Sequence, residues 1–447
     1  MNYTLLILMS IPAVLSLGYF SRRFKEVTVA SGVITVAISL YILLTGMHDS
    51  GTFFVDYLSR YLIVTISSIY LLSVLFGLGY HHKIGESANM RLHLSLTDLF
   101  VSTMLFSVTI NNFGLLWFGI EATTVSSALL LVIEREPLKI EAAWRYVIIV
   151  SAGLTISLVS VVTMYYAFGT LTISKIISSG GTFTELTGIA AGAALVGYGT
   201  KVGLFPMHAW LPDAHSEAPS EVSAMFSGVL LPVAIYALYR VYQATADPKI
   251  TSLYLFVALL TMVFAALILP SQRFYKRMFA YSTMENMAMI LIGLLAGGIG
   301  VTGAIILMVS HAFGKGGAFY SSGNILETYG TKSISQISGM REKMPYTSVS
   351  LILSSLAVTG APPFGTFLGE FLILAALYAS GYTIPFILAL VSLFIAFASI
   401  NFHVSRMVFS GRSEKRDEPS VLQRAVAIFS SVVPLIIPVI FVLGGMF

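Results

Sequence analysis

The sequence predicts an all-α integral membrane protein with about fourteen transmembrane helices. Hydrophobic residues make up 56% of the 447 residues and charged residues only 10%, and the mean hydropathy is +0.87. Soluble domains contain about 25% charged residues. A span needs roughly 20 apolar residues, so this length allows about 13–15 helices and leaves nothing over for a soluble domain.

The charge and the cysteine count exclude several classes of function. The chain contains no cysteine, so we expect no disulfide, no iron–sulfur cluster and no thiolate site, whereas the eight scattered histidines leave haem or a metal possible. The formal net charge is +4, which the loop bias described below explains without a nucleic-acid partner.

The apolar stretches define the predicted helices, numbered 1 to 14. They lie at residues 3–20, 27–46, 58–80, 96–111, 113–133, 144–168, 186–205, 220–242, 251–270, 277–297, 300–326, 347–379, 384–407 and 422–444. The first is expected to be a span rather than a cleaved signal, because Arg22, Arg23 and Lys25 follow it instead of preceding it.

The distribution of Lys and Arg supports this layout. On the side that follows helix 1 lie 19 of the 25 Lys and Arg residues, and four lie on the opposite side. Lys201 and Lys315 fall inside helices. Because Lys and Arg concentrate in cytoplasmic loops, both termini are predicted to face outward.

Two predicted helices are interrupted near mid-span. Helix 7 carries Gly199, Gly203 and Pro206 around Lys201, and helix 12 carries the segment Thr-Gly-Ala-Pro-Pro-Phe-Gly at 359–365. Non-helical backbone at membrane depth survives only where it lines a cavity within the protein or a watery one.

The two breaks lie five helices apart, which is typical of inverted-repeat transporters. We therefore expect helices 4–8 and 9–13 to form two inverted five-helix repeats, with Lys201 and Glu370 as rough counterparts. The expected organisation is helices 1–3 in residues 1–95, the repeats in 96–242 and 251–410, and helix 14 in 411–447.

Lys201 is the most informative polar residue. A lysine at mid-bilayer costs about 2.5–3.5 kcal/mol on insertion scales and is a functional hypothesis by default. Glu121 in helix 5 is equally costly, and pairing the two would lower both costs. The pair is either a static structural ion pair or a switch that takes up and releases a proton, and the helix break favours the switch.

Further intramembrane groups could continue a proton path. His311 and Lys315 are four residues apart and share a helix face. They form either a relay, or a core histidine and a lysine that reaches the inner surface. Glu370 follows the helix 12 break and is either the proton exit or a carboxylate that caps the restarted half-helix.

Glu285 is either an accessory group or a salt-bridge partner of the basic edge Lys276-Arg277. Asp98 and Asp56 lie near predicted helix ends, and we interpret both as structural.

A loop after helix 7 collects titratable residues. His208, Asp213 and His215, followed by Glu217 and Glu221, lie beside the break. Histidines seven residues apart do not match a compact zinc spacing, so no metal site is expected. This loop has a role either in proton uptake or in packing.

The segment from Gly199 to His215 (GTKVGLFPMHAWLPDAH) resembles the antiporter-like subunits of respiratory complex I and the related Mrp cation/proton antiporters. The likeness extends through Trp117–Glu121, Lys276–Ser282, His311 and Gly369–Phe371, and covers nearly the whole chain. Within that superfamily the chain looks most like the F-type membrane subunit of hydrogenase-4 and formate-hydrogenlyase-type complexes. The pointers to this group are Glu141–Tyr146, Gly197–Lys201, Met284–Asn286 and Lys315 after His311.

The resemblance implies a fourteen-helix fold with two proton half-channels joined by a hydrophilic axis. It implies that Glu121 and Lys201 are the ion pair, that His311 is the relay histidine and that Glu370 is the terminal acid. It also implies a prokaryotic plasma-membrane location, other membrane subunits and a peripheral redox arm as partners, and protons, or Na⁺, as the transported ion.

Two departures from the family pattern matter. Many complex I relatives carry a second lysine in helix 8, where this chain has Pro232, and the long lateral helix of the largest subunits is not expected here. The leading hypothesis is a proton-translocating subunit of a redox complex that has no redox centre of its own. The alternatives are a Na⁺/H⁺ antiporter subunit, a membrane scaffold that does not pump, and an independent solute carrier.

Overall fold

The computed structural model describes residues 3–49, 51–80, 87–133, 135–180, 184–411 and 418–443. Of the residues that the structure describes, 85% are helical. Four basic residues that contribute to the predicted loop bias lie outside the described residues, namely Lys83, Arg412, Lys415 and Arg416.

The helices of the N-terminal half are α1 Tyr3–Leu15, α2 Phe24–Leu44, α3 Tyr57–Tyr80, α4 Ser87–Thr109, α5 Phe113–Val132, α6 Pro137–Phe168, α7 Ile173–Ser178, α8 Glu185–Val202, α9 Trp210–Glu217 and α10 Ser220–Met225. Those of the C-terminal half are α11 Leu231–Thr245, α12 Pro248–Ile268, α13 Tyr275–Ala296, α14 Ile299–Tyr329, α15 Met340–Lys343, α16 Pro345–Val358, α17 Gly365–Ala379, α18 Thr383–Phe409 and α19 Val421–Leu443.

The all-α membrane fold is confirmed. Within the described residues, twelve helices are long and apolar enough to span a membrane. The helix α8, which ends at the first break, and the interrupted pair α16 with α17 correspond to the two remaining predicted helices, 7 and 12. The chain is therefore a multi-pass membrane protein.

Two predicted helix starts were wrong. Helix 4 begins at Ser87 rather than 96, and helix 6 begins at Pro137 rather than 144. Polar residues in the first turns conceal both starts, and Pro137 occupies a first-turn position that tolerates proline. As a result Asp98 lies in the middle of α4 and not near its end.

The connection between α4 and α5 is a short turn, since α4 ends at Thr109 and α5 begins at Phe113. Asn112 caps α5, and its side-chain oxygen accepts hydrogen bonds from the backbone N–H groups of Gly114 and Leu115 at 2.9 and 3.1 Å. Asn111 turns the other way and donates to the Gly51 carbonyl at 2.7 Å. Asn112 thus satisfies the first N–H groups of α5, and Asn111 ties the turn to the segment that contains Gly51.

Both predicted breaks are present. The helix α8 ends at Val202, where Gly203 adopts a left-handed conformation with φ of 83°. The Trp210 Nε1–H donates to the Thr200 carbonyl at 2.8 Å and so satisfies one of the exposed helix-end carbonyls. The second break separates α16 from α17, and Gly360 within it has φ of +66°.

The predicted helix 8 is continuous but irregular. It consists of α10, a π-helical turn Phe226–Leu230 and α11, which together form one span from Ser220 to Thr245. Pro232 is the second residue of α11. Proline lacks the N–H that a helix interior needs, and the π turn accommodates it.

The chain divides into two compact units. The first consists of Met1–Val74, Glu86–Glu217 and Val229–Phe256, and the second of Leu75–Gly85, Ala218–Gly228 and Val257–Phe447. In the first, α6 packs against α5, α8 and α9; in the second, α14 packs against α13, α16, α17 and α19. The boundaries of the inverted repeats remain a prediction.

Candidate functional site

Lys201 is completely buried in the last turn of α8. Its Nζ donates to the Thr124 hydroxyl at 2.8 Å and to the Tyr146 hydroxyl at 2.6 Å. The same Nζ lies 5.0 Å from the centre of the Tyr146 ring. The C-terminal end of a helix carries partial negative charge, which favours the charged lysine at this position.

Small residues bring the helices of this site together. A Cβ on Gly153 of α6 would lie 2.6 Å from the Thr200 Cβ, and one on Gly197 of α8 would lie 2.6 Å from the Ser157 backbone nitrogen. Membrane helices approach closely where their residues are small. This packing holds Tyr146 of α6 within reach of Lys201, and Trp210 supports the Tyr146 ring with 4.7 Å between ring centres.

Among the residues that the structure describes, Lys201 and Glu121 make no direct salt bridge, and their pairing in proton transfer stays a prediction. Glu121 is half-buried, and its Oε1 accepts a hydrogen bond from the Ser151 hydroxyl at 2.7 Å. The Lys201 ammonium group instead donates hydrogen bonds to the hydroxyls of Thr124 and Tyr146. Glu121 lies one turn before Thr124 on α5, so its charge acts on Lys201 through space rather than by contact.

A second buried lysine lies in the other unit. Lys315 is fully buried midway along α14, and its Nζ donates to the Phe279 carbonyl at 2.9 Å. The interpretation that it reaches the inner surface was wrong, because the amine points to a carbonyl inside the protein. Glu285 is 2% exposed, and its charge acts on Lys315.

Asn286 holds Glu285 in place. Its amide Nδ2 donates to Glu285 Oε2 at 2.8 Å and to the Val358 carbonyl, at the end of α16, at 3.2 Å. Lys276 donates to the Ala218 carbonyl at 2.9 Å. Among the described residues, Glu285 makes no salt bridge with Lys276 or Arg277, so that alternative was wrong.

Glu370 is buried beside the second break. A Cβ on Gly360 would overlap the Glu370 carboxylate, so the left-handed glycine leaves room for the acid. Close packing of α17 on α14 places it, since a Cβ on Gly303 would lie 2.7 Å from the Gly369 carbonyl. The charge of Glu285 acts on Glu370.

The alternative that Glu370 caps the restarted half-helix was wrong. It is the sixth residue of α17, whose N-cap is Phe364, so it does not cap the restarted helix. Glu370 follows its break, whereas Lys201 precedes the other, and their correspondence as rough counterparts of two inverted repeats stays a prediction.

His311 is buried one turn before Lys315 on α14, as the spacing predicted. The predicted loop after helix 7 is in part the short helix α9. Asp213 on α9 accepts from Arg145 Nη1 at 3.2 Å, His208 stacks on Phe205 with ring centres 5.5 Å apart, and His215 is fully buried. Within the described residues no three His, Asp or Glu side chains form a group that could hold a metal ion.

Several contact residues escaped prediction. Thr124, Tyr146 and Asn286 are ordinary helix residues in the sequence, and only the spacing of Thr124 from Glu121 placed it on the same helix face. Asp98 is fully buried and accepts a hydrogen bond from the Tyr70 hydroxyl. Asp56 forms a salt bridge with the buried Arg240 at 2.7 Å, which supports its interpretation as structural.

The chain resembles proteins of known class over most of its length. A family profile described as NADH:quinone oxidoreductase/Mrp antiporter, TM, matches residues 111–396. The hydrogenase-4 component F homolog of Methylacidiphilum infernorum is 32% identical over 364 residues, which cover 76% of each chain. Hydrogenase-4 component B of Escherichia coli is 26% identical over 339 residues, and the match covers 70% of this chain and 49% of the relative.

Solved structures share the fold. A chain of the membrane-bound sulfane sulfur reductase, an archaeal respiratory membrane complex, matches with a TM-score of 0.89 at 24% identity over 99% of this chain and 95% of that chain. A chain of the Mrp complex from Dietzia sp. matches with a TM-score of 0.88 at 21% identity over 100% and 95%. These likenesses show the fold, while the sequence profile and the first relative show the family.

The predicted resemblance is therefore confirmed, and the chain belongs to the NADH:quinone oxidoreductase/Mrp antiporter transmembrane family.

Proposed function

We propose that the chain is a proton-translocating, antiporter-like membrane subunit of a multisubunit redox complex of the hydrogenase-4 or NADH–quinone oxidoreductase kind. It couples electron transfer in its partners to proton transport and contains no redox centre. The observation that carries the proposal is the buried Lys201, held by two hydroxyl groups at the end of a broken helix.

The choice of hydroxyl partners suits a group that changes its protonation state. A carboxylate in contact would favour the charged lysine only. Hydroxyl groups can accept a hydrogen bond from the ammonium and can also donate one to the neutral amine. Lys201 can therefore keep both partners, Thr124 and Tyr146, before and after it releases a proton.

In this scheme the charge of Glu121 adjusts the proton affinity of Lys201. It acts on Lys201 through space, and its own hydrogen bond comes from Ser151 on a different helix, α6. A small movement of α5 against α8 would change the distance between the two charges. Such a movement, driven by electron transfer in a partner, would alter the proton affinity of Lys201.

The second unit offers further proton-holding groups. Lys315, Glu285 and His311 are buried together with Glu370 among α13, α14 and α17. We assign Lys315 and His311 to the relay, Glu285 to an accessory role and Glu370 to proton release. His208, Asp213 and His215 are the candidates for proton uptake in the first unit.

The relatives and structural neighbours are subunits of multisubunit membrane complexes. For this chain we propose neighbouring membrane subunits and a peripheral redox arm as partners. We propose a prokaryotic plasma-membrane location with both termini outside, and H⁺ rather than Na⁺ as the transported ion.

A scaffold that does not pump is the second candidate function. Pro232 and its π turn occupy the helix 8 position where many complex I relatives have a lysine. The loss of one relay group favours this candidate, although Lys315 in α14 could replace it.

Reconstitution of the whole complex into sealed vesicles tests these functions together. Addition of the electron donor should acidify or alkalinise the lumen, as a pH-sensitive dye reports, at a rate that is independent of Na⁺ and abolished by an uncoupler. A rate that requires Na⁺ would instead indicate Na⁺/H⁺ exchange. Electron transfer without any pH change would indicate a scaffold.

A further inference from the structure

A polar cavity of about 520 Å³ lies at one end of the spans of the second unit. The turn after α12, the linker to α13, the loop after α14 and the last turns of α18 form its walls. The two loops are joined by backbone hydrogen bonds, from Ile334 N–H to the Arg273 carbonyl at 2.9 Å and from Tyr275 N–H to the Lys332 carbonyl at 3.3 Å. These backbone hydrogen bonds between the two loops fix the shape of the cavity.

The lining of this cavity is cationic. Arg273 and Arg406 both line it and both are exposed. Among the residues that the structure describes, neither guanidinium has an ion-pair partner, and no carboxylate lines the cavity. The Arg406 guanidinium lies 5.8 Å from the centre of the Phe402 ring. Two arginines that share one cavity repel each other unless an anion lies between them.

His403 adds a buried polar atom to the same wall. It is 8% exposed, and the Pro270 carbonyl, which can only accept, lies 3.3 Å from its Nε2. Nε2 therefore carries the hydrogen, and the buried Nδ1 has no hydrogen-bond partner in the described part of the chain. Ser333 and Ser335 provide hydroxyl groups that bond only weakly to each other, at 3.1 Å.

The apolar surroundings indicate where the ligand comes from. Phe402 is 59% exposed one turn before Arg406, Leu267 near the end of α12 is 64% exposed, and Phe274 at the cavity itself is 43% exposed. Exposed apolar side chains on spanning helices face lipid tails. A charged headgroup in the cavity would thus have its acyl chains along the lipid-facing sides of α12 and α18.

We propose that this cavity binds the phosphate group of an anionic phospholipid. Guanidinium groups bind phosphate through two parallel hydrogen bonds, and basic pockets between membrane helices bind anionic headgroups. The two arginines would hold the phosphate oxygens, and the serine hydroxyls would complete the contacts.

Native mass spectrometry of the delipidated full chain tests the proposal. The chain is titrated with phosphatidylglycerol, with phosphatidylcholine and, in a separate arm, with phosphatidylglycerol in the presence of inorganic phosphate. We expect phosphatidylglycerol to be retained at least about tenfold more strongly than phosphatidylcholine, because two arginines favour net negative charge. The double variant Arg273→Gln/Arg406→Gln should lose this preference.

Two further variants separate the site from folding and from general charge. Arg273→Lys/Arg406→Lys keeps the charge and should retain most of the preference. Arg341→Gln removes an exposed arginine of α15 that does not line the cavity, and it should bind as the native chain does. If millimolar inorganic phosphate reduces the binding of phosphatidylglycerol, the cavity recognises the phosphate group of the lipid.

Three results would overturn the proposal. The first is equal retention of phosphatidylglycerol by the double glutamine variant. The second is binding of inorganic phosphate alone, with no lipid preference, which would make the site one for a soluble anion. The third is a cross-link in the intact complex between a cysteine at position 406 and an acidic segment of a partner subunit, which would assign the cavity to that partner.

Discussion

Lys201 donates a hydrogen bond to the Tyr146 hydroxyl at 2.6 Å, and this contact rather than an ion pair defines the intramembrane lysine site. The Tyr146 hydroxyl is also 2.8 Å from the Ser127 hydroxyl. The lysine is thus connected to a short chain of hydroxyl groups between α5 and α6. A chain of this kind can pass a proton, whereas a contact with a carboxylate would retain it.

Tyr146→Phe should slow proton transport while the complex still assembles. The variant removes one of the two hydroxyls that hold the ammonium, and a hydrogen bond to a charged group contributes about 1.5–3 kcal/mol. We expect a decrease of about tenfold or more in the redox-driven rate of pH change in vesicles. Tyr165→Phe on the same helix is the control, because Tyr165 is 54% exposed. Equal rates for the two variants would rule out a role of the Tyr146 hydroxyl.

Gly197→Ala should destabilise the first unit. The added methyl group would overlap Ser157 of α6, and overpacking of this kind costs about 1–3 kcal/mol. Gly192→Ala lies on the same helix with nothing within 4 Å of its Cβ, so it controls for helix propensity. Thermal unfolding in detergent should show a lower midpoint for Gly197→Ala only. Identical unfolding midpoints for the two variants would contradict the close contact between α6 and α8 at Gly197.

Gly360→Ala should impair transport more than its backbone strain explains. Its methyl group would overlap the Glu370 carboxylate, and the residue must also keep φ of +66°. Gly381→Ala has the same kind of strain, with φ of +76° and nothing within 4 Å of its Cβ. The comparison therefore isolates the displacement of Glu370. If both variants lose the same fraction of the pumping rate, the position of Glu370 is not important for transport.

Asp56→Asn should destabilise the chain in a pH-dependent way. Burial alone would raise the pKa of Asp56, but the charge of Arg240 and hydrogen bonds from Arg240 and Ser59 lower it below the ordinary value of 3.8. The contribution of the carboxylate to stability is therefore fully present above about pH 4 and is lost as the pH falls through the lower folded value.

Breaking this pair leaves Arg240 buried without its partner, at a cost on the order of 3 kcal/mol. Unfolding midpoints of native and variant chain should differ most near neutral pH and converge in acid. Glu141→Gln breaks an exposed ion pair with Arg145 and should change stability by about 1 kcal/mol or less. A difference for Asp56→Asn that does not change with pH would contradict the assignment.

The sequence and the structure agree wherever the signal is local. Gly203 and Pro206, and the segment around Gly360, predicted both breaks because clustered glycine and proline residues destabilise a regular helix locally. The start of α4 could not be predicted, since Arg91 and His93 lower its hydropathy although the helix continues through them.

Long-range contacts could not be predicted in the same way. The sequence shows that Lys201 needs a polar partner, and a carboxylate is the simplest candidate. The choice between Glu121 and the hydroxyls of Thr124 and Tyr146 depends on how closely α6 approaches α8. That approach is set by Gly153 and Gly197, which are unremarkable small residues until their neighbours are known.

The most direct test of the account measures the protons translocated per electron pair by the complex that contains Lys201→Ala. The control is Lys175→Ala, which removes an exposed lysine from the same unit. We predict that Lys201→Ala assembles and transfers electrons but translocates markedly fewer protons, while Lys175→Ala matches the native complex. An unchanged proton-to-electron ratio in the Lys201→Ala complex would contradict the central claim that this lysine carries the translocated proton.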